Sequence, residues 1–213
     1  MKNIWRNLFL GTITITMLNS FKDESLAKSD TRVITAYGDS LTAGYGLSSE
    51  FSYPSLLQKK LTKEGYKYKV INAGLSGDTT SAGLSRINWV LKTNPEIVIL
   101  ELGANDALRG MPPENAKKNL EAIIKKLKEK NIKILFTGML APRNLGEKYY
   151  KSFDSIYPQL AKKYDIPLVP FFLQGVAMNK TLNIEDGAHP NLKGYVKIVE
   201  NNLWKYLKPL LKK

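Results

Sequence analysis

Cysteine is absent from the 213 residues, and histidine occurs once, at His189. The first absence removes a thiolate nucleophile, a cysteine-based zinc or iron-sulfur site, a disulfide and a lipid-modified cysteine behind an export signal. The second removes a histidine-rich metal site, so any imidazole chemistry has to pass through His189. Acidic residues are scarce as well: 19 against 32 lysines and arginines, a formal charge of +13. Repeats and low-complexity tracts are lacking. The apolar stretch from Leu8 to Leu18 is interrupted by Thr12, Thr14 and Thr16, and it falls short of the roughly 20 residues that a membrane-spanning helix needs.

What is present reads as one α/β domain. The length suits a single real core, and 43% hydrophobic with 24% charged residues is a globular balance. Lys2 and Arg6, the apolar stretch behind them and the small residues of Ser25-Leu26-Ala27 form a secretory signal, untidy because Lys22, Asp23 and Glu24 precede the cleavage site. Cleavage is expected near Ala27, leaving residues 28–213 as the exported domain, periplasmic or secreted. The positive charge could suit nucleic acid or an anionic membrane. However, Lys117, Lys118, Lys125, Lys126 and Lys128 are scattered along a helical segment without the arginine and aromatic interleaving that stacks bases. A solvated lysine face is expected, with no nucleic acid partner, at most weak contact with an anionic membrane surface, and a monomeric chain.

Short apolar runs alternate with helical patterns, the signature of βαβ units and a parallel sheet. Five strands are expected, at Val33 to Tyr37, Tyr68 to Asn72, Ile97 to Leu102, Ile132 to Phe136 and Pro167 to Val169. Between them the apolar period becomes helical. One helix carries Tyr53, Leu56, Leu57 and Leu61. Another carries Leu120, Ile123, Ile124 and Leu127 behind Pro112 and Pro113. Phe153, Ile156, Tyr157, Leu160 and Tyr164 form a third, which Pro158 should kink or divide, and Leu192, Val196, Val199 and Leu203 form the last. In such a sheet ligands bind beyond the carboxyl ends of the strands. There the sequence places three polar, turn-forming segments: Gly38-Asp39-Ser40-Leu41-Thr42, Gly74-Leu75-Ser76-Gly77-Asp78-Thr79-Thr80 and Gly103-Ala104-Asn105-Asp106.

Acyl transfer by a hydroxyl needs a base within reach, an anchor for that base and donors for the developing oxyanion. Ser40 follows an apolar strand and would sit on the strand-to-helix turn with its hydroxyl in the crevice. Alone, a Gly-Asp-Ser turn is more often a loop or a helix cap, and a lone histidine is more often structural; the combination carries the reading. Asp186-Gly187-Ala188-His189-Pro190 precedes the last helix, and a spacing of three residues in a tight turn can put the Asp186 carboxylate beside one ring nitrogen, leaving the other for Ser40. Glu185 is the less favoured anchor. Oxyanion donors are sought at the Ser40 N-H, the Asn105 amide and a glycine N-H, with Gly74 and Gly77 both open on spacing alone.

With these segments in hand, the chain resembles the SGNH hydrolases, also called the GDSL family, and within it the bacterial thioesterase, lysophospholipase and arylesterase group. Gly38-Asp39-Ser40-Leu41, Ser76-Gly77-Asp78-Thr79, Gly103-Ala104-Asn105-Asp106 and Asp186-Gly187-Ala188-His189-Pro190 carry the resemblance, with Leu108-Arg109-Gly110 and Ile156-Tyr157-Pro158 between them. It implies a flavodoxin-like three-layer α/β/α fold on a five-stranded parallel sheet, with no metal or organic cofactor. It implies a triad of Ser40, Asp186 and His189, and oxyanion donors at Ser40, Gly77 and Asn105, choosing Gly77 over Gly74. It also makes residues 107–112 a mobile segment closing over acyl chains. The implied substrates are small-molecule or lipid acyl esters and thioesters. Leu108, Met111 and Leu140 are the expected substrate contacts, while Met111, Leu140, Phe171 and Phe172 could equally pack the core. Two other readings stand beside this one: a carbohydrate deacetylase on the same scaffold, and a catalytically silent basic surface-binding protein.

Overall fold

Strands buried on both faces read as nearly continuous apolar runs, and each expected run becomes a strand. They are β1 (Arg32–Gly38), β2 (Tyr68–Gly74), β3 (Ile97–Glu101), β4 (Lys133–Thr137) and β5 (Leu168–Val169). The structure is a computed structural model and describes residues 31–213; the export signal expected over residues 1–27 lies outside the described residues. All strand pairs are parallel, in the order β2-β1-β3-β4-β5. β3 is buried at every position, as a central strand should be. β5 keeps two residues, because Pro167 has no N-H to extend the ladder. The five-stranded three-layer α/β/α expectation matches.

The connecting helices are α1 (Ser40–Ala43), α2 (Tyr53–Lys63), α3 (Thr80–Leu91), α4 (Ala104–Leu108), α5 (Pro113–Glu129), α6 (Glu147–Asp154), α7 (Ile156–Tyr164), α8 (Leu192–Lys197) and α9 (Trp204–Leu207). α3, α5 and α7 pack in succession, and α2 packs on α8 and its continuation. In α5 the predicted stripe Leu120, Ile123, Ile124 and Leu127 is fully buried, and Lys126 and Lys128 sit in the last turn, where cations favour the helix dipole. The break expected from Pro158 falls at Ser155, three residues earlier, so that Pro158 occupies the first turn of α7, where its missing N-H would have had no partner.

The last helix departs from expectation. Val199 and Leu203 are buried, but Leu192 and Val196 are 39% and 44% exposed, and Tyr195, Ile198 and Asn202 take the inner face instead. α8 runs into a π-helical segment, Ile198–Leu203, which changes the number of residues per turn, so a stripe counted at the α-helical period slips out of phase. Asn202 also escapes an apolar search: it is buried because its amide donates to the carbonyls of Phe172 and Gln174 at 2.9 and 3.0 Å.

β1 pairs with β2 on one side and β3 on the other, so the chain reverses its direction of winding at the β1/β3 junction. Gly38 and Glu101, the last residues of these strands, stand side by side there. That is where an open α/β sheet leaves a crevice.

Candidate active site

The chain leaves β1 at Gly38 and turns at once into α1. Asp39 caps that helix, its carboxylate accepting from the Leu41 N-H at 3.0 Å, which puts Ser40 in the first turn with its side chain toward the crevice. α1 is held from behind by α8, whose Tyr195 hydroxyl donates to the Leu41 carbonyl at 2.9 Å.

His189 reaches Ser40 from a loop pinned by the Asn183–Pro190 bridge and by the Ile184 N-H donating to the His189 carbonyl at 2.9 Å. Asp186 divides its two oxygens. Oδ1 accepts from the Ala188 and His189 N-H groups, each at 2.9 Å, and Oδ2 lies 2.6 Å from His189 Nδ1. Nε2 is 2.8 Å from Ser40 Oγ. With Nδ1-H donating to the carboxylate, Nε2 is left as the acceptor for the serine proton. Burial acts to raise the Asp186 carboxyl, but the two backbone N-H groups and the imidazole together hold it below its ordinary value. Tyr45 lies beside the imidazole, ring centroids 4.8 Å apart.

Gly77 has a φ of 87° and Gly103 a φ of 119°, a region that side chains rarely enter. At Gly103 an added Cβ would lie 2.2 Å from the Tyr157 hydroxyl oxygen, so the turn carrying Asn105 needs glycine on both counts. Asn105 Nδ2 donates to the Asp78 carbonyl at 3.0 Å and to Asp39 Oδ2 at 3.2 Å. Ser40, Gly77, Asn105 and His189 line one cavity of about 710 Å³.

The rest of that lining is mainly apolar, including Leu41, Tyr45, Met139, Leu140, Phe171 and Met178. Of the expected substrate contacts, Leu108 and Leu140 line it and Met111 does not; the Met111 carbonyl instead accepts from the Tyr149 hydroxyl at 2.7 Å. Phe171 faces the cavity, while its neighbour Phe172 is wholly buried against Tyr53.

Under the serine turn lies a pair of buried carboxyls that the sequence reading left without a role. Thr42 Oγ1 donates to Glu101 Oε2 at 2.7 Å and the Asp39 N-H to the same oxygen at 3.4 Å. Glu101 Oε1 is buried with no hydrogen-bond partner among the described residues. Burial, then the Asp39 carboxyl, hold Glu101 well above its ordinary value; burial pushes Asp39 up to about 6 against the hydrogen bonds from Leu41 and Asn105. A single acid within an otherwise apolar run, Ile97 to Leu102, was the available signal. Tyr45 left no comparable one.

Residues 36–197 match the model of the GDSL-like lipase/acylhydrolase family. Esterase TesA of Pseudomonas aeruginosa is 40% identical over 181 residues, 84% of this chain and 90% of that protein. The thioesterase 1/protease 1/lysophospholipase L1 of Escherichia coli K12 is 39% identical over 188 residues, covering 88% and 85%. Among solved structures, TesA superposes with a TM-score of 0.80 over 84% of this chain and all of that one, at 40% identity. AlinE4, an SGNH-hydrolase family esterase, gives 0.71 at 48% identity, covering 86% and 98%. On its sequence, its fold and the matched span, the chain belongs to the GDSL-like lipase/acylhydrolase family.

Proposed function

We propose that the chain hydrolyses acyl esters and thioesters through Ser40, His189 and Asp186, and the observation that carries the reading is the unbroken path from Asp186 Oδ2 through the imidazole to Ser40 Oγ. His189 Nε2 takes the hydroxyl proton as Oγ attacks the acyl carbonyl, and returns it to the departing alcohol or thiol. Water, deprotonated by the same nitrogen, then releases the acid and regenerates Ser40. Asp186 stays ionised throughout and steadies the imidazolium.

The oxyanion would be met by the N-H groups of Ser40 and Gly77 and by Asn105. The Asn105 amide has two N-H groups and both are engaged. The longer of its bonds, to Asp39 at 3.2 Å, is the one it would exchange for the oxyanion, keeping the bond to Asp78 at 3.0 Å as its pivot. The apolar lining favours an acyl chain over an acetylated sugar, which would need polar partners in the same space. The basic, apolar and small-residue order of residues 1–27 supports an exported enzyme acting on small-molecule or lipid acyl substrates outside the cytoplasm.

A fluorophosphonate probe tests the assignment. It should label the wild type and leave Ser40→Ala unlabelled, with hydrolysis of p-nitrophenyl esters and acyl-CoA lost in the same variant. Equal labelling of the two proteins would refute it.

A further inference from the structure

Arg86 lies on α3, outside the triad and outside the cavity lining. Its guanidinium uses each nitrogen on a different segment: Nε donates to Asp78 Oδ2 at 2.6 Å, one terminal nitrogen to the Ala73 carbonyl at 2.9 Å and the other to the Gly38 carbonyl at 2.9 Å. Its flat face rests on the Tyr37 ring, 4.6 Å from the centroid. The side chains of Arg86 and Asp78 are 17% and 7% exposed, so the ion pair is largely withdrawn from water and weakly screened.

The segments held in this way carry two of the three candidate oxyanion donors and the carbonyl that positions the third. Gly38 stands two residues before Ser40, and Asp78 directly follows Gly77. Asp78 also presents the backbone carbonyl on which the Asn105 amide pivots, at 3.0 Å. Lysine, with one nitrogen at the end of a flexible stem, could hold Asp78 or a carbonyl but could not span all three in fixed geometry. An ion pair serving only to stabilise α3 would need the Asp78 contact alone. Two further bonds to the carboxyl ends of β1 and β2 go beyond that need.

We infer that Arg86 is the positioning residue that sets the spacing of the oxyanion donors, gripping the nucleophile turn and the Gly77-Asp78 loop with one rigid guanidinium and steering Asn105 through Asp78. This rests on the assignment of Ser40, Gly77 and Asn105 proposed above. Arg86 touches no reacting atom. A displacement of about 1 Å among such donors costs on the order of 10²-fold in rate, which sets the scale of the effect.

The test uses Arg86→Lys, Asp78→Asn and the double variant of the full chain, each checked for native circular dichroism, with Ser40→Ala alongside. For a short p-nitrophenyl ester, kcat should fall about 10- to 100-fold in each single variant with KM nearly unchanged, since donors matched to the tetrahedral state act on turnover. The affinity for a trifluoromethyl ketone, which forms a tetrahedral adduct on serine, should fall in step with kcat/KM, while that for a fatty acid product should hold. In Arg86→Lys, which keeps the charge, the acid limb of the pH profile should stay in place, because the imidazole and its anchor are untouched. The double variant should be no slower than the slower single variant, as residues acting along one path are not additive. Folded Arg86→Lys or Asp78→Asn with wild-type kcat, or a loss confined to KM, would overturn the inference. Should Arg86→Lys not fold, Asp78→Asn decides alone. Activity persisting in Ser40→Ala would instead remove the assignment beneath it.

Discussion

Replacing Glu101 by glutamine should change how stability depends on pH more than it changes stability itself. In the folded chain Glu101 keeps its proton above the ordinary range because burial and the Asp39 carboxyl disfavour its ionised form, whereas in the unfolded chain it titrates near 4.5. The folded state therefore binds more protons than the unfolded one as pH rises past that value, and stability falls by about 1.4 kcal/mol for every pH unit over which the difference lasts. The loss accumulates over the range in which the unfolded carboxyl has ionised and the folded one has not, and Glu101→Gln cannot suffer it because an amide has no such proton. Asp39, raised from 3.8 to about 6, adds a slope of the same sign below pH 6 in both proteins. The amide brings an offset of its own: its NH₂ group takes the place of Oε1, which has no partner among the described residues. That offset is the same at every pH and drops out of the comparison. Urea unfolding of both proteins at pH 5, 6 and 7 is the assay. The wild type should lose ground steadily to the variant as pH rises, and parallel curves would refute the claim that Glu101 is buried as the neutral acid.

Four other outcomes can be checked in the same laboratory. Asn105→Ala should lower kcat by about 10²- to 10³-fold with little change in KM, measured on a p-nitrophenyl ester, because the donor that pivots on Asp78 is gone. Asp186→Asn should cost up to about 10⁴-fold in kcat. The wild-type Asp186 carboxyl, held below its ordinary 3.8, stays ionised from pH 8 to 5, so a fall in kcat/KM over that interval does not come from it, and a flat profile would argue against His189 as base. Tyr195→Phe leaves the buried Leu41 carbonyl without its donor and should lower the unfolding free energy by about 1 to 3 kcal/mol, read from thermal or urea melts.

Elements whose identity depends on local pattern were legible in the sequence. β3 and α5 announced themselves by an unbroken apolar run and a clean helical stripe, and the Asp186 turn by spacing. What escaped depends on partners distant in the chain. Tyr195 is buried because Leu41, 154 residues away in sequence, offers a carbonyl, and no periodicity encodes that. The phase slip at Ile198–Leu203 follows from a π-helical segment, which a stripe counted at the α-helical period does not reveal. Phe171 and Phe172 are adjacent and alike, and composition cannot tell which is a cavity wall and which is core. Arg86, the one charged residue of α3, has no local signal; its three partners lie on other elements and meet only in the fold.

The way Asp186 spends its two oxygens has a bearing on assembly. One oxygen folds the turn and the other aims the ring, so the base and its anchor form within a span of four residues that can organise by itself. The proposed nucleophile, Ser40, lies 149 residues upstream. A chain that grows from its N-terminus therefore carries Ser40 long before the proposed base, His189. Until the segment around His189 arrives and α8 docks Tyr195 against Leu41, the hydroxyl is an ordinary alcohol. On the proposed assignment, hydrolytic competence waits for the His189 segment to dock, and a chain interrupted before residue 189 should be inert toward acyl groups.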